Sequence, residues 1–388
     1  MTEFSDGNRI TLLQNGAEYF PALEASLDAA KREVHLETYI FENDDTGRKI
    51  AAALARAARR GVSTHVMVDG FGSQDLGRAL ADEMQAAGVH FLVYRPQISP
   101  WSFQRARLRR LHRKVVVIDA RVAYVGGINI LDDEDARHGI PARFDYAVRV
   151  EGPLVGSIYP PVKRLWKLVA ATQLRSRRAE THALEPGEMH RGHQRAAFVL
   201  RDNLGHRREI EEAYLEAIEG SRSEILLANA YFFPGLSFRS ALTDAARRGV
   251  RVRLLLQGRP EYLLLYYASR ALYGPFLDAG VEIYEYHRSF LHAKVAVIDR
   301  RWSTVGSSNI DPFSLLLARE ANVVIDDRTF AEELHASLTR AIDQGATQLP
   351  LERWSHQPLP MRIATWVCYG VTRLLMGSSA YARTEEFA

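Results

Sequence analysis

Two stretches of the chain carry the same polar cluster. "LHRKVVVIDARVAYVGGINI" begins at Leu111 and "LHAKVAVIDRRWSTVGSSNI" at Leu291. They lie nearly half the chain apart, and twelve of their twenty positions are identical, too many for coincidence. Each pairs a histidine with a lysine two positions on, His112 with Lys114 and His292 with Lys294. On a strand, residues i and i+2 share a face. Each copy therefore projects an imidazole and an ammonium together, and the Val/Ile-rich run that follows buries the strand. Beyond it stand Gly126, Gly127 and Asn129 in one copy, and Gly306, Ser307 and Asn309 in the other. Glycine allows close approach of backbone to a ligand, and Asn129, Asn309 and Ser307 add hydrogen-bonding groups.

Brought together about a two-fold axis, the copies supply two imidazoles, two ammonium groups and two amides around one point. Lysines and amides suit an anion with several oxygens, such as a phosphate ester. Two histidines suit nucleophilic and acid–base work near neutral pH. One can attack phosphorus. The other can protonate the leaving oxygen and then deprotonate the incoming hydroxyl. Each imidazole needs a group to fix its tautomer, usually a carboxylate. A metal is not expected, because the ammonium groups oppose a cation and no further ligands show suitable spacing. Asp119 and Asp299 repeat as well, each at the far end of the strand that its histidine opens. A strand rises ~3.3 Å per residue, which puts them roughly 23 Å away, where they would fix a turn or an ion pair.

The elements that position these groups also repeat. "AARRGVSTHVMVDG" from Ala57 returns as "AARRGVRVRLLLQG" from Ala245, and "EVHLETYIF" from Glu33 as "EILLANAYFF" from Glu224. The blocks keep one order in both halves, so the chain reads as two copies of one domain. Each half alternates strand and helix, which implies an α/β fold with a mostly covered sheet. The expected organisation is two pseudo-symmetric domains, 1–175 and 190–347, sharing one site at their interface, then a tail over 348–388. A monomer suffices for a complete site.

The 388 residues fit two domains, and 47% apolar with 25% charged residues is a folded, soluble composition. The lone Cys368 excludes a disulfide framework and suggests a cytosol-facing protein. Neither a signal peptide nor a spanning helix is expected. In the tail, "MRIATWVCYGVTRLLMG" sets Arg362, Thr365, Tyr369, Thr372 and Arg373 on one helical face. Ile363, Trp366, Val367, Val371, Leu374 and Leu375 fill the other. That pattern suits a helix in a membrane interface or one docked on the protein's own core. Arg105, Arg107, Arg109 and Arg110 crowd the approach to His112, with Trp101 and Phe103 before them. Such a run fits anionic lipid headgroups, a nucleic-acid backbone or a solvated loop.

The duplicated His-x-Lys-x4-Asp resembles the signature of the phospholipase D superfamily over nearly the whole chain. Within it, "ANAYFFPG" from Ala228, "VGSSNIDPFSLLLAREANVVI" from Val305 and "FDYAVRVEGP" from Phe144 resemble the bacterial cardiolipin synthases, in their short form without N-terminal spanning helices. The resemblance implies two phospholipase D-like domains and a two-step phosphatidyl transfer through a phosphohistidine. Two phosphatidylglycerol molecules would give cardiolipin and glycerol, without a cofactor. It implies His112 as nucleophile and His292 as acid–base partner, with Lys114, Lys294, Asn129 and Asn309 holding the phosphate. An acid at a set spacing downstream of each histidine is expected as its partner. Glu320 fits that spacing for His292, and Asp145 is the counterpart for His112. Ala318 stands where such enzymes commonly show Asn. The expected partner is an anionic phospholipid membrane, with the protein peripheral on its cytoplasmic side, and not nucleic acid. A hydrolase of the same superfamily, phospholipase D or nuclease, would use the same histidines. A non-catalytic lipid- or nucleic-acid-binding module fits less well with two complete motifs.

Overall fold

The computed structural model describes residues 2–96, 110–132, 142–173, 184–187, 189–202, 206–311, 318–355 and 359–377. The first half runs β1 (Ser5–Gln14), helix Asn15–Asp28, β2 (Glu33–Thr38), helix Asp45–Arg59, β3 (Ser63–Asp69), helix Arg78–Ala86 and β4 (His90–Tyr94). It continues through β5 (Arg110–Leu111), β6 (Lys114–Ile118), β7 (Val122–Gly126), β8 (Tyr146–Glu151) and helix Val155–Thr172. The second half repeats the plan with β9 (Gln194–Arg201), helix Glu209–Glu219, β10 (Glu224–Asn229), helix Leu236–Arg247, β11 (Arg251–Gln257) and β12 (Glu282–Tyr286). Then come β13 (Lys294–Ile298), β14 (Trp302–Gly306), β15 (Ala318–Asp326), helix Arg328–Gly345 and β16 (Ala346–Gln348). Between β11 and β12 lie two short helices, Leu263–Arg270 and Tyr273–Asp278.

Strand order in the first half is β1-β8-β7-β6-β2-β3-β4, and in the second β9-β15-β14-β13-β10-β11-β12-β16. Apart from β16 the two orders correspond strand for strand. The sheets do not stop at the join: β1 pairs antiparallel with β9, making one continuous sheet. One central core draws on both halves, with Val115, Val125, Tyr146 and Ile158 packed among Val295, Val305, Val323 and Leu334. Each half also has an outer core of its own under its helices, built around Leu23, Leu54 and Val66 in one and Phe238, Leu254 and Phe276 in the other. The halves are therefore two copies of one topology that fold against each other. Removing either would expose most of the central core to water.

The repeated aspartates belong to this scaffold. Asp119–Ala120 and Asp299–Arg300 are the central pairs of the β6–β7 and β13–β14 hairpins, with φ of 50–53° at all four residues. Two positive φ values make the hairpin turn that matches strand twist, at a cost for residues with a Cβ. The carboxylates compensate. Asp119 accepts from the backbone N–H groups of Lys31, Arg32 and Glu33 at 2.7–2.9 Å. Asp299 accepts from Arg222, Ser223 and Glu224 at 2.8–2.9 Å. For Asp299 burial pulls upward, but these bonds outweigh it and hold the carboxyl below its ordinary pKa. Asp119 and Asp299 thus tie the hairpin to the start of β2 and β10, at the far end of the strand from the lysine. Asp119→Ala should lower stability by about 2 kcal/mol or more, the scale of hydrogen bonds to a charged acceptor. Urea unfolding should register the loss, and turnover per folded molecule should stay unchanged.

Candidate active site

His112 and His292 stand just before β6 and β13, and Lys114 and Lys294 open those strands. Alternation sends Arg113 the other way, into a buried ion pair with Glu37. Lys114 Nζ reaches back to the His112 carbonyl at 2.7 Å. Lys294 Nζ does the same at the His292 carbonyl and lies 2.8 Å from the imidazole Nδ1.

The carboxylate partners are exchanged between halves. His112 Nδ1 lies 2.8 Å from Glu320 Oε1, and His292 Nδ1 lies 2.6 Å from Asp145 Oδ2. The expectation that each acid serves the histidine upstream of it in its own half is overturned. The cause is main-chain pairing across the halves. Beside β15, the His112 N–H donates to the Arg319 carbonyl at 3.0 Å, which presents the next residue, Glu320. The His292 N–H donates to the Phe144 carbonyl at 2.9 Å, which presents Asp145. Each histidine is stitched to the residue preceding the other half's acid.

These contacts occupy Nδ1 in both rings and leave Nε2 for chemistry. The imidazole side chains keep 16% and 11% exposure, against 0% for Glu320 and 3% for Asp145. The rings are therefore the more accessible members of each pair and the carboxylates stand behind them. The supports differ between halves. A Cβ on Gly127 would collide with the Asp145 carboxylate, so Gly127 makes room for that group rather than for a ligand. The matching residue, Ser307, donates to Glu320 Oε2. Gly127 and Ser307 thus both adjoin the acids behind the rings. Asn129 Oδ1 accepts from the Ile40 N–H at 3.2 Å, whereas the buried Asn309 Oδ1 has no partner among the described residues. Ala318 is buried where β15 meets β5.

Burial dominates the electrostatics. It lowers the pKa of His112, with Glu320 pulling the other way. It lowers that of His292 well below the ordinary value, reinforced by the Lys294 and Arg143 charges. Lys114 is pushed down to about 7 by burial and by Lys294. Lys294 falls to about 8 through burial, against the attraction of Asp145. Burial raises Asp145 to about 6, with Lys294 opposing.

Several supporting residues carry no chemical signal in the sequence. Asp69 and Gln257, which end β3 and β11, accept from the N–H groups of Leu111 and Leu291 at 2.8 and 3.1 Å. They fix the chain one residue before each histidine, and their matching places in the repeat were the available clue. The Tyr39 ring centroid is 4.8 Å from that of His112, with Lys114 Nζ over its face at 5.4 Å. Across the halves, Arg143 pairs with Glu261 at 3.4 Å, and Tyr231 donates to the same carboxylate. Among the described residues one other group has metal-ligand chemistry, the buried Glu33, His35 and His65. There Lys163 Nζ lies 3.4 Å from Glu33 Oε1, and Tyr159 donates to Oε2 at 2.5 Å, so the carboxylate is already matched. The run from Trp101 to Arg109 lies outside the described residues.

Fold and site together define a phospholipase D-type phosphodiester centre. The family model for the cardiolipin synthase, PLD-like domain matches residues 23–135 and 214–342, and the chain belongs to that family. It is 42% identical to cardiolipin synthase B of Escherichia coli strain K12 over 90% of this chain and 85% of that protein. It is 31% identical to cardiolipin synthase A of Proteus mirabilis over 95% of this chain and 76% of that one. Among solved structures, phosphatidylserine synthase of Haemophilus influenzae superposes with a TM-score of 0.71 over 94% of each chain, at 14% identity, a likeness of fold.

The crossed pairing has a direct test. Glu320→Gln removes the charge that raises the His112 pKa, so that pKa should fall further while His292 barely moves. Nitrogen-15 NMR of the imidazoles distinguishes this from own-half pairing, in which His292 would respond. The lysines give a second expectation. Their charge is lost as pH rises through about 7 and 8, so KM for an anionic diester should climb on the alkaline side. Steady-state kinetics across pH measures it.

Proposed function

We propose that the protein is a cardiolipin synthase, moving a phosphatidyl group from one phosphatidylglycerol to a hydroxyl of another and releasing glycerol. The observation that carries this reading is the pair of crossed His–carboxylate contacts between two buried lysines. It occurs in a chain 42% identical to cardiolipin synthase B over most of its length.

The chemistry runs in two displacements. His112 Nε2 attacks phosphorus, and the bond to the glycerol headgroup oxygen breaks as His292, protonated, gives that oxygen its proton. Glycerol leaves and a phosphatidyl-histidine remains. His292, now neutral, takes the proton from a hydroxyl of the second phosphatidylglycerol. That oxygen attacks phosphorus, the P–N bond breaks and His112 is regenerated. Lys114, Lys294, Asn129 and Asn309 hold the phosphate and stabilise the charge of the five-coordinate transition state. One phosphodiester replaces another, so the exchange has no large free-energy gap to drive.

The environments favour this order. Glu320 raises the basicity of His112 and so its power as a nucleophile. The Lys294 ammonium beside His292 makes the protonated ring a stronger acid toward the leaving oxygen. Asp145 and Glu320 act through the rings as positioning residues. The reading includes a peripheral place on the cytoplasmic face of the membrane, which fits a single unpaired cysteine. Among the described residues, no helix is long and apolar enough to cross a membrane.

Purified protein with labelled phosphatidylglycerol vesicles should give cardiolipin and glycerol. Phosphatidic acid as the sole product would make the protein a hydrolase and sink the proposal. His112→Ala should abolish the covalent phosphatidyl-enzyme, and His292→Asn should let it accumulate after acid quench. The opposite pattern would reverse the two roles.

A further inference from the structure

The tail helix, Leu359–Gly377, docks with the reverse of the usual polarity. It lies along helix Leu263–Arg270. The residues turned to the protein are Thr365 and Thr372, both buried, with Cys368 and Tyr369 packed beside them on the outer core of the second half. The Tyr369 ring rests on Phe233 with centroids 5.4 Å apart. Ile363, Trp366, Val367, Val371 and Leu374 face outward at 43–75% exposure. A helix that stabilised the fold by apolar burial would sit the other way round. The neighbouring helix exposes apolar residues too. Tyr262, Leu263 and Leu264 at the start of the neighbouring helix are 40–62% exposed.

That neighbouring strip leads to the reaction centre. Tyr262 follows Glu261, the residue paired with Arg143, and its ring lies 5.7 Å from that of Tyr231. The Arg143 charge acts on both His292 and Asp145. Arg362 and Arg373 project from one flank of the tail helix, where headgroup phosphates would lie if the apolar strip entered the acyl region. An exposed apolar patch of this extent marks an interaction surface. Indole at such a boundary suits the headgroup layer.

We propose that helix Leu359–Gly377 and the start of helix Leu263–Arg270 form one docking surface for an anionic bilayer, and that it seats the Glu261–Arg143 side of the site against the lipid. The proposal rests on the phosphatidyl-transfer reading for its choice of occupant. The helix is an interfacial float whose polar face is the protein's own.

Flotation with vesicles of equal phosphatidylglycerol and phosphatidylcholine tests it. The double variant Trp366→Glu, Leu374→Glu alters only exposed side chains, and its fold is checked by circular dichroism and melting temperature. It should bind at least about tenfold more weakly, and turnover of vesicle phosphatidylglycerol should fall with it. Turnover of a short-chain phosphatidylglycerol dissolved as monomers should not change. Arg362→Gln with Arg373→Gln should weaken binding to these vesicles and leave the weak binding to pure phosphatidylcholine unaltered. Wild-type flotation by the Trp366/Leu374 variant overturns the proposal. So does a wild-type dimer that this variant dissociates, since a second copy would then cover the face. Flotation needs no turnover, so it reports docking even if the monomeric substrate shows that phosphatidyl transfer fails.

Discussion

Everything else in the molecule serves two hydrogen bonds that cross between its halves, His112 to Glu320 and His292 to Asp145. Neither half holds both members of either of these two pairs. The halves must therefore be fixed to each other within the tolerance of a hydrogen bond, a few tenths of an ångström. A flexible two-domain arrangement could not hold that. The structure meets the demand with a sheet running unbroken through β1 and β9, a core drawn from both sides, and the matched backbone bonds at Arg319 and Phe144. Those backbone bonds bring the carboxylates to the rings.

Two lysines, two carboxylates and two imidazoles are gathered in one buried cluster, where opposite charges offset one another. Isolated, each of these charges would be too costly to bury. Together they are tolerated, and the lowered lysine pKa values show that the tolerance is narrow. A bound anion would favour the charged forms of the lysines and rings around it, so anion binding and protonation of the cluster are linked.

The sequence disclosed the chemistry better than the wiring. His112, Lys114, His292 and Lys294 are legible because the motif occurs twice, and the strand–helix alternation is legible from periodicity. Asp145 and Glu320 are legible as acids, but their spacing is counted along the chain, and nothing in that count says which ring an acid faces. Pseudo-symmetry makes own-half and crossed pairing equally consistent with the residues; the parallel contacts of β5 with β15 and of Phe144 with Leu291 decide. β1 is hidden because "SDGNRITLLQ" is polar and glycine-bearing, and its partners β8 and β9 lie far along the chain. The tail helix reads as amphipathic, and it is a helix. Its direction of facing is not legible, since a hydrophobic pattern fixes two faces without saying which meets protein.

The supports behind the two acids are where the halves cease to be copies. One carboxylate is short and fits over Gly127; the other is longer and takes a hydroxyl from Ser307. In a dimer of identical subunits any change at one of these positions would appear at both. Two-step transfer asks its imidazoles for opposite talents, one to hold phosphorus and one to trade protons. With both copies in one polypeptide each support can differ alone, and the Gly127–Ser307 difference is one that identical subunits could not encode.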